Sequence, residues 1–489
     1  MSKISENLSN LKHTYFSLGD EFSCRTKPTL VKKPSLINFN FDLASDLGLT
    51  FSNKKEIENI LSGNKIPNNS LPIAMSYAGH QFGNFVPQLG DGRAVLLGEI
   101  KNKDNILYDI QLKGSGKTVF SRQGDGRAAL GPVMREYLIS EFMNAVEIPT
   151  TRSLAIIKTG ENIVRESFLP GAILTRVSKS HIRIGTFEYF SSRRKQDSIK
   201  KLTNYIIQRN FSNIYNKKTK YIDFLEQVIT KQAYLISKWM EIGFIHGVMN
   251  TDNTSISGET IDYGPCAFLD EFNRNMVFSS IDHMERYSYS NQPQIIKWNL
   301  ARFAESIITL IDPNLNNAIS IANELIGEFD KKYNTFWKKG MKKKIGLSKN
   351  EIGDESLILD LLKIMENNSL DYTATFRNLS DFLDINIELQ DKKFDYLNSW
   401  LLRWKDRIKI ESSKSEDLKK EMNNVNPIYI PRNHIVEKAI NQAYNNNDYE
   451  IFLDFLNALN NPYKEKNKLS KFSEPPKPEE KVLQTFCGT

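Results

Sequence analysis

The chain changes character near residue 200, and that change limits the architectures open to it. Residues 72–192 are rich in glycine and in short apolar runs bounded by turn signals. AVLLGEI (94–100), YDIQLKG (108–114), SLAIIKTG (153–160) and ILTRVS (173–178) read as β-strands. One helix interrupts them. Across 129–146, Leu130, Met134, Leu138, Phe142 and Ala145 recur at helical spacing, and Pro132 sits near the start, where a missing N–H costs little. Beyond residue 200 the pattern turns helical. Residues 224–244 read as a strong helix, and similar patterns follow an irregular stretch (245–292) at 294–311, 316–337, 355–366, 391–409 and 434–460. Strands with one helix, then helices, predict an α+β fold of two lobes with a cleft between them.

Composition fits a soluble globular protein: 489 residues, 40% hydrophobic, 25% charged. Net charge is 65 − 58 = +7, mild for this length, and does not by itself imply nucleic acid. The lysine clusters at 191–220 and 331–350 are interleaved with acids and asparagines and read as solvated faces. No run of about 18 apolar residues exists, so no membrane span is expected. The N-terminal residues lack the apolar core of a signal peptide, and Asp20 and Glu21 suit a transit peptide poorly. Cys24, Cys266 and Cys487 are too far apart for a disulfide framework or a zinc site. A cytoplasmic setting is the expectation.

Five constellations carry chemistry. Gly90-Asp91-Gly92-Arg93 sits before a strand, where backbone N–H groups can approach phosphates; an ordinary hairpin turn fits the same residues. Lys113 ends a strand and can hold phosphate as a point charge, or stand solvated. Glu136 lies between Met134 and Leu138 on the interrupting helix; if it points inward it needs a cation, and Lys113 is the candidate. His246 to Asn253 keeps the His-to-Asn spacing of the kinase catalytic loop, but Val248 stands where the catalytic Asp would be. Asp252 is a replacement carboxylate, unless the loop is merely an Asx-rich turn. Asp262-Tyr263-Gly264 resembles the metal-binding Asp-Phe-Gly, or a plain turn. Asn253 and Asp262 would offer Mg²⁺ the one or two oxygen ligands it takes beside nucleotide phosphates.

The order is more telling than any member: glycine loop, strand Lys, helix Glu, His-to-Asn loop, Asp-aromatic-Gly. That is the kinase order. Arg176 and Arg183 are then expected to add cations for the phosphates. Two other nucleotide motifs fail. Gly116-Lys117-Thr118 lacks the P-loop glycine five residues earlier, where Gln111 stands. Gly124-Asp125-Gly126 opens a helix, but no clear strand precedes it as a dinucleotide fold requires.

Longer stretches resemble one family. YAGHQFGNFVPQLGDGRAVLLGEI (77–100), residues 112–141, 165–190 and 246–270, and NPIYIPRNHIVEKAI (426–440) are similar to the SelO/YdiU family of pseudokinase-like protein nucleotidyltransferases. The resemblance implies a kinase-like fold: an N-terminal extension (1–75), a nucleotide-binding β-rich lobe (76–192), a helical lobe (193–460) and a mobile tail (461–489). It implies ATP bound inverted relative to kinases and AMP transferred to Ser, Thr or Tyr hydroxyls of proteins, the chain itself included. It assigns the far phosphates to Lys113 with Glu136, Arg176 and Arg183, and the nucleotide border to Gly90, Gly92, Arg93, Asp125 and Gly126. Asn253 and Asp262 would bind Mg²⁺ or Mn²⁺, and Asp252 would accept the proton. A redox-sensitive Cys266–Cys487 disulfide is implied as well, although Gly488-Thr489 replaces the Ser-Ser associated with the family. UMP transfer from UTP, a silent ATP-binding scaffold and a true kinase are the alternatives; the missing Asp at 248 argues against the last.

Overall fold

The computed structural model describes Leu8 and residues 11–383, 397–411 and 414–486. Within them, mixed α and β structure is organised around an antiparallel eight-stranded sheet. Its strands are β1 (Ser23–Arg25), β2 (Ser35–Phe39), β3 (Ile73–Met75), β6 (Ala94–Lys101), β7 (Leu107–Lys113), β8 (Ala128–Ala129), β9 (Arg152–Val164) and β10 (Phe168–Ser178). The order is β1-β3-β6-β7-β10-β9-β2, with β8 beside β10. The strands read from sequence are thus the middle of the sheet. Residues 1–75, expected as an extension, supply both edges.

Between β3 and β6 lies a separate two-stranded ribbon, β4 (Gly79–Gln81) with β5 (Asn84–Val86). β5 therefore pairs with β4 and not with β6, so Gly90–Arg93 is no hairpin turn. It is a connection held by other loops: Thr118 donates to the Asp91 carbonyl at 2.7 Å, and the Ser121 hydroxyl donates to the Gly92 carbonyl.

Register fixes the chemistry of the inner face. β7 pairs with β10 so that Gln111 faces Arg176 and Lys113 faces Leu174. Strand side chains alternate, so Gln111, Lys113 and Arg176 share one face. Helix α1 (Leu130–Ala145) covers that face; Met134, Leu138 and Phe142 are fully buried, and Glu136 comes with them.

The rest is helical, and α2 (Ile184–Ser191) and α3 (Gln196–Asn210) are among the helices missed by pattern. Helices α4 (Lys220–Glu241), α5 (Gln292–Ser306), α6 (Leu315–Lys344), α7 (Asp354–Asn367) and α8 (Tyr372–Asn378) follow. The pattern at 391–409 yields a helix at Asn398–Ile408; residues 391–396 lie outside the described residues. The pattern at 434–460 is two helices, α9 (Asn433–Asn446) and α10 (Glu450–Leu459), parted at Asn447, whose left-handed φ of 52° ends the first. Residues 461–486, expected as an extended tail, lie on this part through buried Leu469 and Phe472. Among the described residues no helix is long and apolar enough to cross a membrane.

Lys344, at the end of α6, is buried against Phe376 (4.4 Å from Nζ to the ring centre) and Tyr372 (5.5 Å). Burial lowers its pKa to about 7, against the pull of Glu241. The unfolded chain keeps that proton to about pH 10. Between these limits the unfolded state binds more protons, so stability from this group rises with pH through the window and is flat below it. Lys344→Met is expected to remove that rise. Urea midpoints of both proteins at pH 6.5 and pH 9.5 check it; parallel midpoints would refute it.

Candidate functional site

A cleft of about 530 Å³ opens between the inner face of the sheet and the loops that follow α4. Gly90, Gly92, Arg93, Lys113, Asp125, Gly126, Arg176, Arg183, Asp252, Asn253 and Asp262 all line it. Glu136 lies just behind, 2% exposed.

At its floor three cations meet three carboxylates. Lys113 Nζ donates to Glu136 Oε2 at 2.6 Å and to Asp262 Oδ1 at 3.2 Å. Arg176 donates through Nε to Glu136 Oε1 (2.8 Å) and through Nη2 to Asp262 Oδ1 (2.7 Å). Arg183 Nη1 donates to Asp262 Oδ2 at 2.7 Å and to the Asp252 carbonyl at 2.7 Å, and its Nη2 lies 3.9 Å from Asp91. The tie between strand lysine and helix glutamate is therefore in place, and Lys113 is not solvated. Burial alone would raise Asp262, but Arg176, Arg183 and Lys113 outweigh it and hold the carboxyl well below its usual range. Glu136 is likewise held low, burial being outweighed by Arg176 and Lys113.

Two loops after α4 face this floor. His246, fully buried, stacks on Trp239 and donates from Nε2 to the Ile261 carbonyl at 2.9 Å, which pins the first loop to the second. Asn253 donates its amide to the Val248 carbonyl at 3.0 Å, leaving its carbonyl oxygen for another partner. Asp252 accepts from Gln81 Nε2 at 3.2 Å through one carboxylate oxygen; the other, Oδ1, is buried with no partner. Burial pushes Asp252 up to about 6, against the charge of Arg183. Asp262 sits in the left-handed region at φ 62°.

Among the described residues no three His, Cys, Asp or Glu side chains converge on a metal position. Mg²⁺ needs only one or two protein oxygens beside phosphates and water. The Asn253 side-chain oxygen, left available by the bond to Val248, and Asp262 line one cleft and suit such an ion.

Pattern reading missed several lining residues. The Tyr77 ring lies 4.6 Å from the Arg183 guanidinium. Arg165 grips Asp125 with two hydrogen bonds, at 2.9 and 3.1 Å, from 40 residues away. Phe120 packs so closely on Gly90 that a Cβ there would lie 2.4 Å from its ring. Tyr77, Phe120 and Arg165 all lie in stretches whose family likeness was legible, but residue type and spacing gave none of them a role.

The geometry can be set beside known proteins. A family model described as "Protein adenylyltransferase SelO" matches residues 7–460. The chain belongs to the SelO family. Curated relatives are similar along their whole length. Proteins named protein nucleotidyltransferase YdiU are 48% identical in Bradyrhizobium diazoefficiens, covering 98% of this chain and 99% of the relative, and 48% identical in Rhodopseudomonas palustris, covering 98% of each. The one from Rhizobium etli is 47% identical, covering 98% of this chain and 97% of its own. Membership of the SelO family makes the chain a transferase enzyme.

Cys266 is buried on the loop after Asp262. Cys487 lies outside the described residues, but the chain leading to it ends beside Cys266: Thr485 Oγ1 donates to the Pro265 carbonyl at 2.5 Å, and Arg135 donates to the Phe486 carbonyl at 3.1 Å.

Proposed function

We propose that this chain transfers AMP from ATP to Ser, Thr or Tyr hydroxyls of proteins and releases pyrophosphate, in a kinase-like fold of two lobes with ATP inverted. One observation carries the reading. The cations Lys113, Arg176 and Arg183 gather at the cleft floor, while the buried carboxylate oxygen with no partner belongs to Asp252, and Val248 occupies the kinase base position.

In this reading the β- and γ-phosphates lie against those cations, whose guanidinium forks suit phosphate oxygens. Arg93 and the glycine loops at Gly90–Gly92 and Asp125–Gly126 border the rest of the nucleotide. Asp252 Oδ1 takes the proton from the acceptor hydroxyl, whose oxygen attacks the α-phosphorus. The bond from the α-phosphorus to the bridging oxygen breaks, and pyrophosphate leaves with the electron pair. Asn253 and Asp262 would hold Mg²⁺, which supplies charge stabilisation at the phosphates. A pKa near 6 suits Asp252 to this work, because it is ionised at neutral pH yet more basic than a free carboxylate. A Cys266–Cys487 disulfide would tether the tail to the loop that bears Asp262; the docking of Thr485 at Pro265 supports that regulation.

The test uses ATP labelled at the α- or the γ-phosphate, with a protein acceptor, Mg²⁺, and reductant present or absent. Label is expected on protein only from the α-phosphate. Label only from the γ-phosphate would make the chain a kinase and overturn the inverted pose. ATP binding with no label from either position would make it a scaffold.

A further inference from the structure

We propose that the β4–β5 ribbon and Trp298 form the platform on which the acceptor polypeptide docks, extended along the outer edge of β5 and with an acidic side chain against Arg286. This rests on the transfer reading and adds how the acceptor is held.

The ribbon is anchored on one side only. Gln81 and Asn84 flank the two-residue turn Phe82–Gly83, both with positive φ, so Gln81 pairs with Asn84 by hydrogen bonds and His80 faces Phe85 without them. The backbone groups of His80 and Phe85 then point away from the ribbon. On β4 the His80 N–H is used, donating to Thr251 Oγ1 at 2.6 Å. On β5, among the described residues, no backbone group pairs with Phe85, whose side chain is 39% exposed. An open strand edge is a template for an extended chain.

The anchored side leads straight to the reaction centre. Gln81 donates to Asp252, Phe82 N–H donates to Asn250 Oδ1 at 3.0 Å, and a Cβ on Gly79 would lie 2.6 Å from Asp252 Oδ1. Glu188 bridges the two: its Oε1 meets His80 Nδ1 at 2.5 Å, and its Oε2 accepts from the Thr251 hydroxyl. The cleft lining runs on from Asp252 to Gln81, Phe82 and Ile281, so the turn end of the ribbon borders the nucleotide space.

The platform has a chemical character. Phe85, His80 and Trp298 form a row with ring centres 5.0 and 5.2 Å apart. The guanidinia of Arg286 and Arg302 each lie 5.0 Å from the Trp298 ring. Arg302 is already paired with Glu305 at 2.6 Å. The Arg286 backbone N–H donates to Asp282 Oδ1 at 3.0 Å and its side chain bonds Tyr287, but its guanidinium forms no salt bridge among the described residues, and its Nε is buried and unpartnered. A carboxylate beside the acceptor hydroxyl would complete it.

The test compares dephosphorylated casein, acidic and unfolded, with histone, basic, as acceptors for α-labelled ATP and Mg²⁺. Casein is expected to show the lower KM. Arg286→Glu is expected to raise the casein KM about tenfold, an ordinary effect for one interface anchor. Phe85→Pro, which removes one outward N–H that an edge strand tolerates losing, is expected to raise the KM for both acceptors. Both variants should keep wild-type kcat and ATP affinity by calorimetry. Unchanged KM in both variants, a preference for histone, or loss of ATP binding would overturn the platform and leave transfer standing. Absence of α-label on either acceptor with the wild-type chain would overturn the transfer reading and the platform with it.

Discussion

Asp262→Asn is expected to lower transfer of α-label by about 10²–10³-fold while the chain stays folded. Asparagine is the informative replacement because Asp262 lies at φ 62°, a left-handed conformation that Asn adopts readily and Ala does not. The amide keeps the shape but not the charge. In the wild type that carboxylate receives Arg176 and Arg183 at 2.7 Å each and Lys113 at 3.2 Å. The amide would keep one accepting oxygen and turn its NH₂ toward Arg183, or toward Lys113 and Arg176, whichever bonded the oxygen it replaces. The variant should therefore melt lower, and ATP, whose phosphates restore negative charge to the floor, should raise its midpoint more than that of the wild type. Circular dichroism, thermal scans with and without ATP, and initial rates separate the two effects. A rate within tenfold of wild type would remove Asp262 from the reaction.

The central strands were legible because β6, β7, β9 and β10 are long apolar runs between turn residues. The edges were not. β1 and β2 have three and five residues, and nothing in SCR or SLINF distinguishes a strand from a loop; pairing with β3 and β9 makes them strands. The floor of the site was legible as residue types in order and illegible as a cluster. A strand-end lysine carries no local sign of burial. Lys113 becomes the partner of Glu136 because α1 crosses the face that the β7–β10 register assigns to both Lys113 and Arg176. The glycine turn shows the converse. Gly90–Gly92 has hairpin chemistry, but β5 already has β4 as its partner, so tertiary pairing overrides the local preference. Contacts such as Arg165 with Asp125 depend on where two distant loops meet, and a single sequence holds no signal for that.

Glu136→Ala is expected to destabilise the chain by about 3–5 kcal/mol, the cost of leaving buried charges without their partner. Glu136 is 2% exposed; its Oε2 accepts from Lys113 and its Oε1 from Arg176. Removing it leaves Lys113 and Arg176 to share Asp262 with Arg183, so three cations face one carboxylate at close range, with Asp91 3.9 Å from Arg183. Lowered stability alone would not separate a structural pair from a working one, because any buried ion pair behaves so. The double variant Lys113→Met with Glu136→Leu makes the separation. It removes one cation together with the carboxylate and fills the space with apolar groups, which for buried pairs is often neutral. Stability is expected to return in part, since Arg176 still has Asp262, while transfer is lost because the phosphate-facing ammonium is gone. Urea midpoints and α-label rates on the three proteins decide it. A double variant that recovers transfer with its stability would show that the pair holds the fold and does nothing for the phosphates.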